Sequence, residues 1–348
     1  MGYPAYRITL LPKAFFFSMK LNFKSLLPLA ILTATALWAG DMLFRQALFS
    51  LPSIVIVFLE HLVGLIALVI LYHHSIKNLF QITRKELLAL LWTGIFAGML
   101  ATLLYTSGLM LVSFASFSVV VLLQQLQPIR VLSARYILHE KIGKQFILAF
   151  IALIGAYLIT FKDLIPNLHT GDMTPIAGLF GLLAGIFRSN TAVSKYNLRH
   201  LSFQSLTIAR YAIAALAAFG VILFSIVINS SGISLESSTI ISTIGSKFIE
   251  VSHFNQIYLL SLSQWSNLGA IVIGVGIIGM SLYYRGLQKV PSKVSTICEL
   301  RPLFAFLLDI FYFDRSFTWT QIIGMILLLA VITISLHQKN LQIQALEV

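Results

Sequence analysis

Charged side chains are scarce in this sequence. Lys, Arg, Asp and Glu make up 10% of its 348 residues, against 58% hydrophobic residues. A water-soluble chain of this length cannot cover its surface with so few charges, so most of what surrounds it is lipid; the mean hydropathy of +0.91 agrees. Cysteine is scarcer still. The single Cys298 excludes an intramolecular disulfide framework and a cysteine-based zinc cluster. No phosphate-binding glycine loop is present, so the chain has no means of its own to drive transport with ATP. There is no HExxH, paired acidic motif or cysteine cluster, which argues against an intramembrane lipid-modifying enzyme, the rival of a different class. No metal or cofactor is expected. Met1 to Lys24 shows no cleavable signal pattern, because Ala14-Phe15-Phe16-Phe17 is too short for its apolar core. Met19 offers an alternative start with its own basic lead-in.

What the sequence does have is apolar runs of about 20 residues, enough to cross a hydrocarbon core ~30 Å thick. Ten are read: Leu26–Phe49, Ser53–Tyr72, Leu87–Leu111, Ala115–Leu138, Gln145–Phe161, Pro175–Tyr196, Phe203–Ile228, Trp265–Leu287, Lys293–Phe313 and Trp319–Leu336. They are continuous rather than alternating, so they predict helices and not a barrel. The net charge of +12 does not signal nucleic acid once it is sorted by loop. With the amino terminus in the cytoplasm, Arg7, Lys13, Lys20, Lys24, Lys77, Arg84, Lys85, Lys141, Lys144, Lys195, Arg199, Arg285, Lys289, Lys293 and Lys339 fall inside. Only Lys162, Lys247 and Arg315 fall outside. This bias predicts an even number of spans, both termini cytoplasmic, and a multi-pass protein of the cell (inner) membrane.

Two prolines lie deep in apolar runs, each with a carboxylate twelve residues on: Pro128 with Glu140, and Pro302 with Asp314. A further run follows each, with Gln145 and Gly155 in one and Gln321 and Gly324 in the other. Tyr105-Thr106-Ser107-Gly108-Leu109 aligns with Tyr283-Tyr284-Arg285-Gly286-Leu287. The chain therefore reads as a duplication. A cytoplasmic segment 1–25 precedes a first repeat 26–161, a linker 162–174 leads to a second repeat 175–336, and 337–348 form a cytoplasmic tail. Five spans per repeat is odd, so the copies enter the membrane in opposite senses, as in many transporters with a site between the halves. The Ser-rich stretch 229–264 is expected outside.

This order of features resembles the EamA group of the drug/metabolite transporter superfamily, over roughly Leu26 to Leu336. Leu37-Trp38-Ala39-Gly40 is similar to its Trp-Gly element in the first helix. Leu138-His139-Glu140-Lys141 resembles its Gly-Glu pair after the fourth, and Arg210 the arginine of a repeat's second helix. The sequence departs from the pattern at Glu60-His61, at Asp314, and at Arg130 and Arg301. The resemblance implies an all-α protein with ten helices in two inverted five-helix repeats around a central cavity, working by alternating access.

A charge in the hydrocarbon core costs on the order of 2.5–3.5 kcal/mol even on lenient scales, so such residues face the bundle interior or a cavity. Near-central candidates are Glu60, His61, Arg130, Arg188, Arg210, Glu299 and Arg301. Gln124, Gln127 and Arg130 share a stripe beside the helix kink at Pro128, which frees the carbonyl of Gln124; Pro302 kinks its helix beside Glu299 and Arg301. Arg130 and Arg301 either line the substrate cavity or brace the repeats. Arg188 and Arg210 either line it or snorkel to the inner surface. Glu60 and His61, on different faces, are proton-coupling candidates, of which one is expected to line the cavity. Asp41 and Arg45, four apart, are expected to form a local structural pair. The balance of charges favours amino-acid-like zwitterions or organic anions. The expected function is a secondary transporter of such small polar metabolites, an exporter or exchanger; an organic-phosphate or nucleotide-sugar exchanger is the alternative within the fold. The expected partners are the small-molecule substrate and the bilayer, with no nucleic acid. A cysteine placed at Ser237 is expected to react with a membrane-impermeant reagent in intact cells, and one placed at Asn78 only after permeabilisation; the reverse result would refute this topology.

Overall fold

The computed structural model describes residues 27–111, 145–161, 174–188, 198, 201–230, 260–289, 301–311 and 318–344. The Ala115–Leu138 span, with Gln124, Gln127, Pro128, Arg130 and Glu140, lies outside them, as do Glu299, Asp314 and most of 229–264.

Every described regular element is helical. Leu27–Gln46 forms α1. Pro52 supplies the fixed φ of −57° that opens α2, Ser53–Tyr72. The next helix, α3, spans Arg84–Leu111. It starts on a capping box in which Thr83 Oγ1 accepts from the Glu86 amide and Glu86 Oε2 accepts from the Thr83 amide. Gln145–Phe161 is α4, Thr174–Arg188 is α5 and Phe203–Ser230 is α6. Leu262–Ala270, Ile271–Gly279 and Met280–Lys289 run on as α7, capped by Ser261 and Gln264. Arg301–Phe311 is α8 and Trp319–Gln344 is α9. Among the described residues, four stretches are long and apolar enough to cross a membrane: Ser53–Gln81, Arg84–Leu111, Phe203–Val227 and Leu262–Tyr283. Their outer faces carry exposed Ile70, Leu216 and Phe224, as lipid contact requires.

Two features depart from the sequence reading. The stretch expected as a loop after Tyr72 contains a 3₁₀ helix, His73–Gln81. It is tied to α6, where Ser205 Oγ donates to the Ser75 carbonyl at 2.8 Å. Thr93–Leu100 of α3 and Ile271–Gly279 of α7 widen into π-helix. Such turns are rare and gather at functional sites. Apolar runs carry no signal for them.

Helix α2 packs along α6, α3 along α5 and α6, α1 along α7 and α8, and α4 along α9. Residues of α2, α3, α6 and α7 share the largest apolar cluster. The α4–α9 contact depends on Gly155, where an added Cβ would stand 2.9 Å from the Gly324 carbonyl oxygen and 3.0 Å from Leu328 Cγ. A backbone oxygen cannot swing aside. Gly155→Ala is therefore expected to lose about 1–3 kcal/mol through overpacking. Gly220→Ala, in α6 with nothing within 4 Å of the new methyl, should gain about 0.5–1 kcal/mol. Thermal unfolding of the two variants in detergent checks both signs.

Candidate functional site

The first helix sets the site. Trp38, Asp41 and Arg45 follow at intervals of three and four, which places them along one face of α1. Arg45 is 1% exposed and uses each of its three nitrogens. Nε donates to Asp41 Oδ2 at 3.0 Å and Nη2 to Asp41 Oδ1 at 2.9 Å. Nη1 donates to Glu60 Oε2 on α2 at 2.9 Å and to Thr106 Oγ1 on α3 at 3.0 Å. One guanidinium thus joins three helices and bonds two buried carboxylates.

A second cation completes the balance. Arg301 of α8, also 1% exposed, places Nη2 3.8 Å from Asp41 Oδ2 and donates to the Tyr105 hydroxyl. Three guanidinium carbons surround the Tyr105 ring: those of Arg301, Arg188 and Arg45 lie 4.6, 5.4 and 5.7 Å from its centroid. Cations over an aromatic face are attracted by its quadrupole, so one phenol ring eases the crowding of three positive groups.

A cluster of different character lies beside this one. Trp38 Nε1 donates to the Val275 carbonyl, at 3.0 Å, inside the π stretch of α7. Arg210 of α6 donates from Nη2 to the Ala97 carbonyl, at 2.7 Å, inside the π stretch of α3, and Nη1 meets Met280 Sδ at 3.4 Å. Tyr211 is wedged between α2 and α7, because Cβ atoms at Gly64 or Gly276 would collide with its ring or hydroxyl. His61 Nδ1 bonds the Val57 carbonyl at 2.8 Å, and its ring lies 5.0 Å from that of Tyr211. A carbonyl only accepts, so Nδ1 carries the proton.

The two clusters line one shared pocket. Asp41, Arg45, Glu60 and Arg301 of the first cluster line it, together with Trp38, His61, Arg210, Tyr211 and Met280 of the second. Among the described residues no three metal-ligating side chains come together.

Several sequence expectations change here. Glu60 and His61 both line the cavity, although only one was expected to: Glu60 reaches α1 while His61 leans towards Tyr211. Asp41 and Arg45 pair as expected, but the pair opens onto the cavity and extends to Glu60. Arg188 and Arg210 line the cavity instead of snorkelling. Tyr105, Thr106, Tyr211 and Met280 were missed as cavity or network residues. Tyr105-Thr106 stood out only as a repeat anchor.

Replacing Arg45 with Met should strand two carboxylates and cost about 3–5 kcal/mol. Adding Asp41→Asn and Glu60→Gln should recover most of that loss, as read from thermal unfolding of the purified protein.

Comparison with known proteins gives the geometry its family. Residues 25–161 and 175–336 each match the model of the EamA-like transporter family. The riboflavin transporter ImpX of Fusobacterium nucleatum subsp. nucleatum is 32% identical over 277 residues, 78% of this chain and 84% of that protein. A solved crystal structure aligns with 94% of this chain and 99% of its own at a TM-score of 0.61, with 15% identity, a likeness of fold alone. Two family matches, a buried polar cavity and membrane-spanning helices lead to one conclusion: the chain belongs to the EamA-like transporter family and is a multi-pass membrane transporter of small molecules.

Proposed function

We propose that this chain is a secondary transporter of riboflavin or of a closely similar ring-bearing polyol. The observation that carries the reading is the 32% identity to a riboflavin transporter across most of both chains. The cavity supports it. Trp38, Tyr211 and Met280 offer surfaces to a planar ring, and Thr102, His61 and the carboxylates offer hydrogen bonds. On this reading ten helices form two inverted five-helix repeats, 26–161 and 175–336, joined by the linker 162–174. Both termini are cytoplasmic, and the cavity opens to each side in turn.

A zwitterion or organic anion gripped by Arg301, like the organic-phosphate and nucleotide-sugar alternative, is the weaker reading. Nη2 of Arg301 already donates to Tyr105 and lies 3.8 Å from Asp41 Oδ2. Proton coupling, if the cycle uses it, falls to His61 ahead of Glu60, because Arg45 holds Glu60 as a counter-ion at 2.9 Å.

Liposomes containing the purified chain are expected to exchange riboflavin across the bilayer faster than protein-free liposomes, with unlabelled riboflavin competing and amino acids or phosphate esters of sugars not competing. Riboflavin flux equal to that of empty liposomes would overturn the proposal.

A further inference from the structure

The apolar stretch that begins at Ser53 runs for 29 residues, to Gln81, but α2 alone is long enough to cross lipid. Its 20 residues rise about 30 Å, the thickness of a hydrocarbon core. The 3₁₀ helix His73–Gln81 therefore falls at the level of the headgroups. A 3₁₀ helix has three residues per turn, so side chains three apart stack in columns. The columns here have different surroundings. Ser75 and Asn78 bond Ser205 of α6, Ser75 through its carbonyl. Ile76 and Leu79 are half-buried and pack on the apolar core. His74, Lys77 and Phe80 form the remaining column; all three are exposed, Phe80 at 84%. His73 is exposed beside them, its ring 3.8 Å from that of His74.

The chain then turns through Ile82 and Thr83 into α3, whose first residues, Arg84 and Lys85, are exposed as well. Glu86 is the carboxylate of this stretch, and its Oε2 already accepts from the Thr83 amide at 2.7 Å. Lys77, Arg84 and Lys85 have no ion-pair partner among the described residues. Exposed apolar side chains bracket them on both sides: Ile70 and Leu71 at the end of α2, Leu87 and Leu88 early in α3.

We propose that the segment 73–85 is a docking surface for anionic phospholipid headgroups. Charge complementarity carries the first half of the argument. Basic side chains gather at one end of two neighbouring spans, and the nearest carboxylate is already committed to a backbone amide. Phe80 and the bracketing residues carry the second half. A phenyl ring this exposed gains by entering the acyl boundary, while Lys77, one turn before it in the same column, reaches outward to a phosphate. Leu71 and Leu88 need lipid on either side, so the cations between them stand within reach of headgroups. The bundle does not compete for this face, because α6 and the apolar core take the other two columns.

The test places a fluorophore beside the column. The purified full-length chain, with Cys298→Ser and Gln81→Cys, is labelled at position 81 and reconstituted in phosphatidylcholine bilayers. Nitroxide-labelled phosphatidylglycerol and nitroxide-labelled phosphatidylcholine are compared as quenchers. Phosphatidylglycerol is expected to be favoured by about fivefold or more, the worth of one basic side chain at an anionic surface. Lys77→Gln alone should lower that preference several-fold, and Lys77→Gln with Arg84→Gln and Lys85→Gln should bring the two lipids to parity. Changing Lys289, Lys293 and Lys339 to Gln instead should leave the preference in place. Equal quenching by both lipids before these substitutions, a preference that survives the 77/84/85 variant, or one lost equally in the 289/293/339 variant would overturn the proposal. So would displacement of phosphatidylglycerol, at constant ionic strength, by inorganic phosphate or by polyglutamate, since the surface would then serve free anions or an acidic protein.

Discussion

Two carboxylates inside a lipid-embedded bundle are an energetic liability, and in this protein a single guanidinium bonds both. Arg45 reaches Asp41 on its own helix, Glu60 on α2 and Thr106 on α3. Each of these helices buries apolar residues elsewhere, but apolar burial among lipid tails sets little register, since the tails are as greasy as the side chains. Directional, charge-assisted bonds do set it. The relative rotation of α1, α2 and α3 is therefore fixed by where Arg45 can reach. The placement of Trp38, one face and two turns away, follows from it. Arg301 then ties α8 to the same group through Asp41 and Tyr105.

The π stretches of α3 and α7 are the second constraint. Their carbonyls at Ala97 and Val275 receive side-chain donors from other helices, Arg210 in one case and Trp38 in the other. Inside a membrane, irregular backbone is tolerated where protein groups or a cavity satisfy it. Here both conditions are met at once: the donors that satisfy the widened turns also line the cavity. Gly98 lies against Ala214 and Arg210, which lets α6 approach closely enough for Arg210 to reach its carbonyl.

Much of this was readable from the residues, for a physical reason. Apolar runs long enough to span lipid give helices almost without alternative, so Ser53–Tyr72 and Gln145–Phe161 coincide with their expected bounds. Charges in such runs announce themselves because lipid penalises them, which is how Glu60, His61, Arg188, Arg210 and Arg301 were found. Aromatic residues announce nothing. Tyr105 and Tyr211 in an apolar run look like ordinary packing, and only three-dimensional neighbours distinguish a phenol among three guanidiniums from one among leucines. Helix partnership was equally hidden. Nothing in Gly155 says that its neighbour is Gly324, and nothing in Asp41-Met42-Leu43-Phe44-Arg45 says that Glu60 completes the group. The 3₁₀ stretch after Tyr72 was hidden too, because His73 and Lys77 read as a solvated loop.

That 3₁₀ stretch has a mechanical consequence. It joins the end of α2 to the start of α6 through Ser75, Asn78 and Ser205. Further along the same seam Tyr211 is keyed into Gly64, and Phe58 stacks on Phe219 at 5.7 Å. The helices α2 and α6 come from the two separate family matches, so the seam crosses the molecule's internal duplication. A joint riveted at both ends and keyed in the middle does not slide; it can only serve as a fulcrum. On the alternating-access reading, the two halves would move least against each other along this seam of α2 and α6.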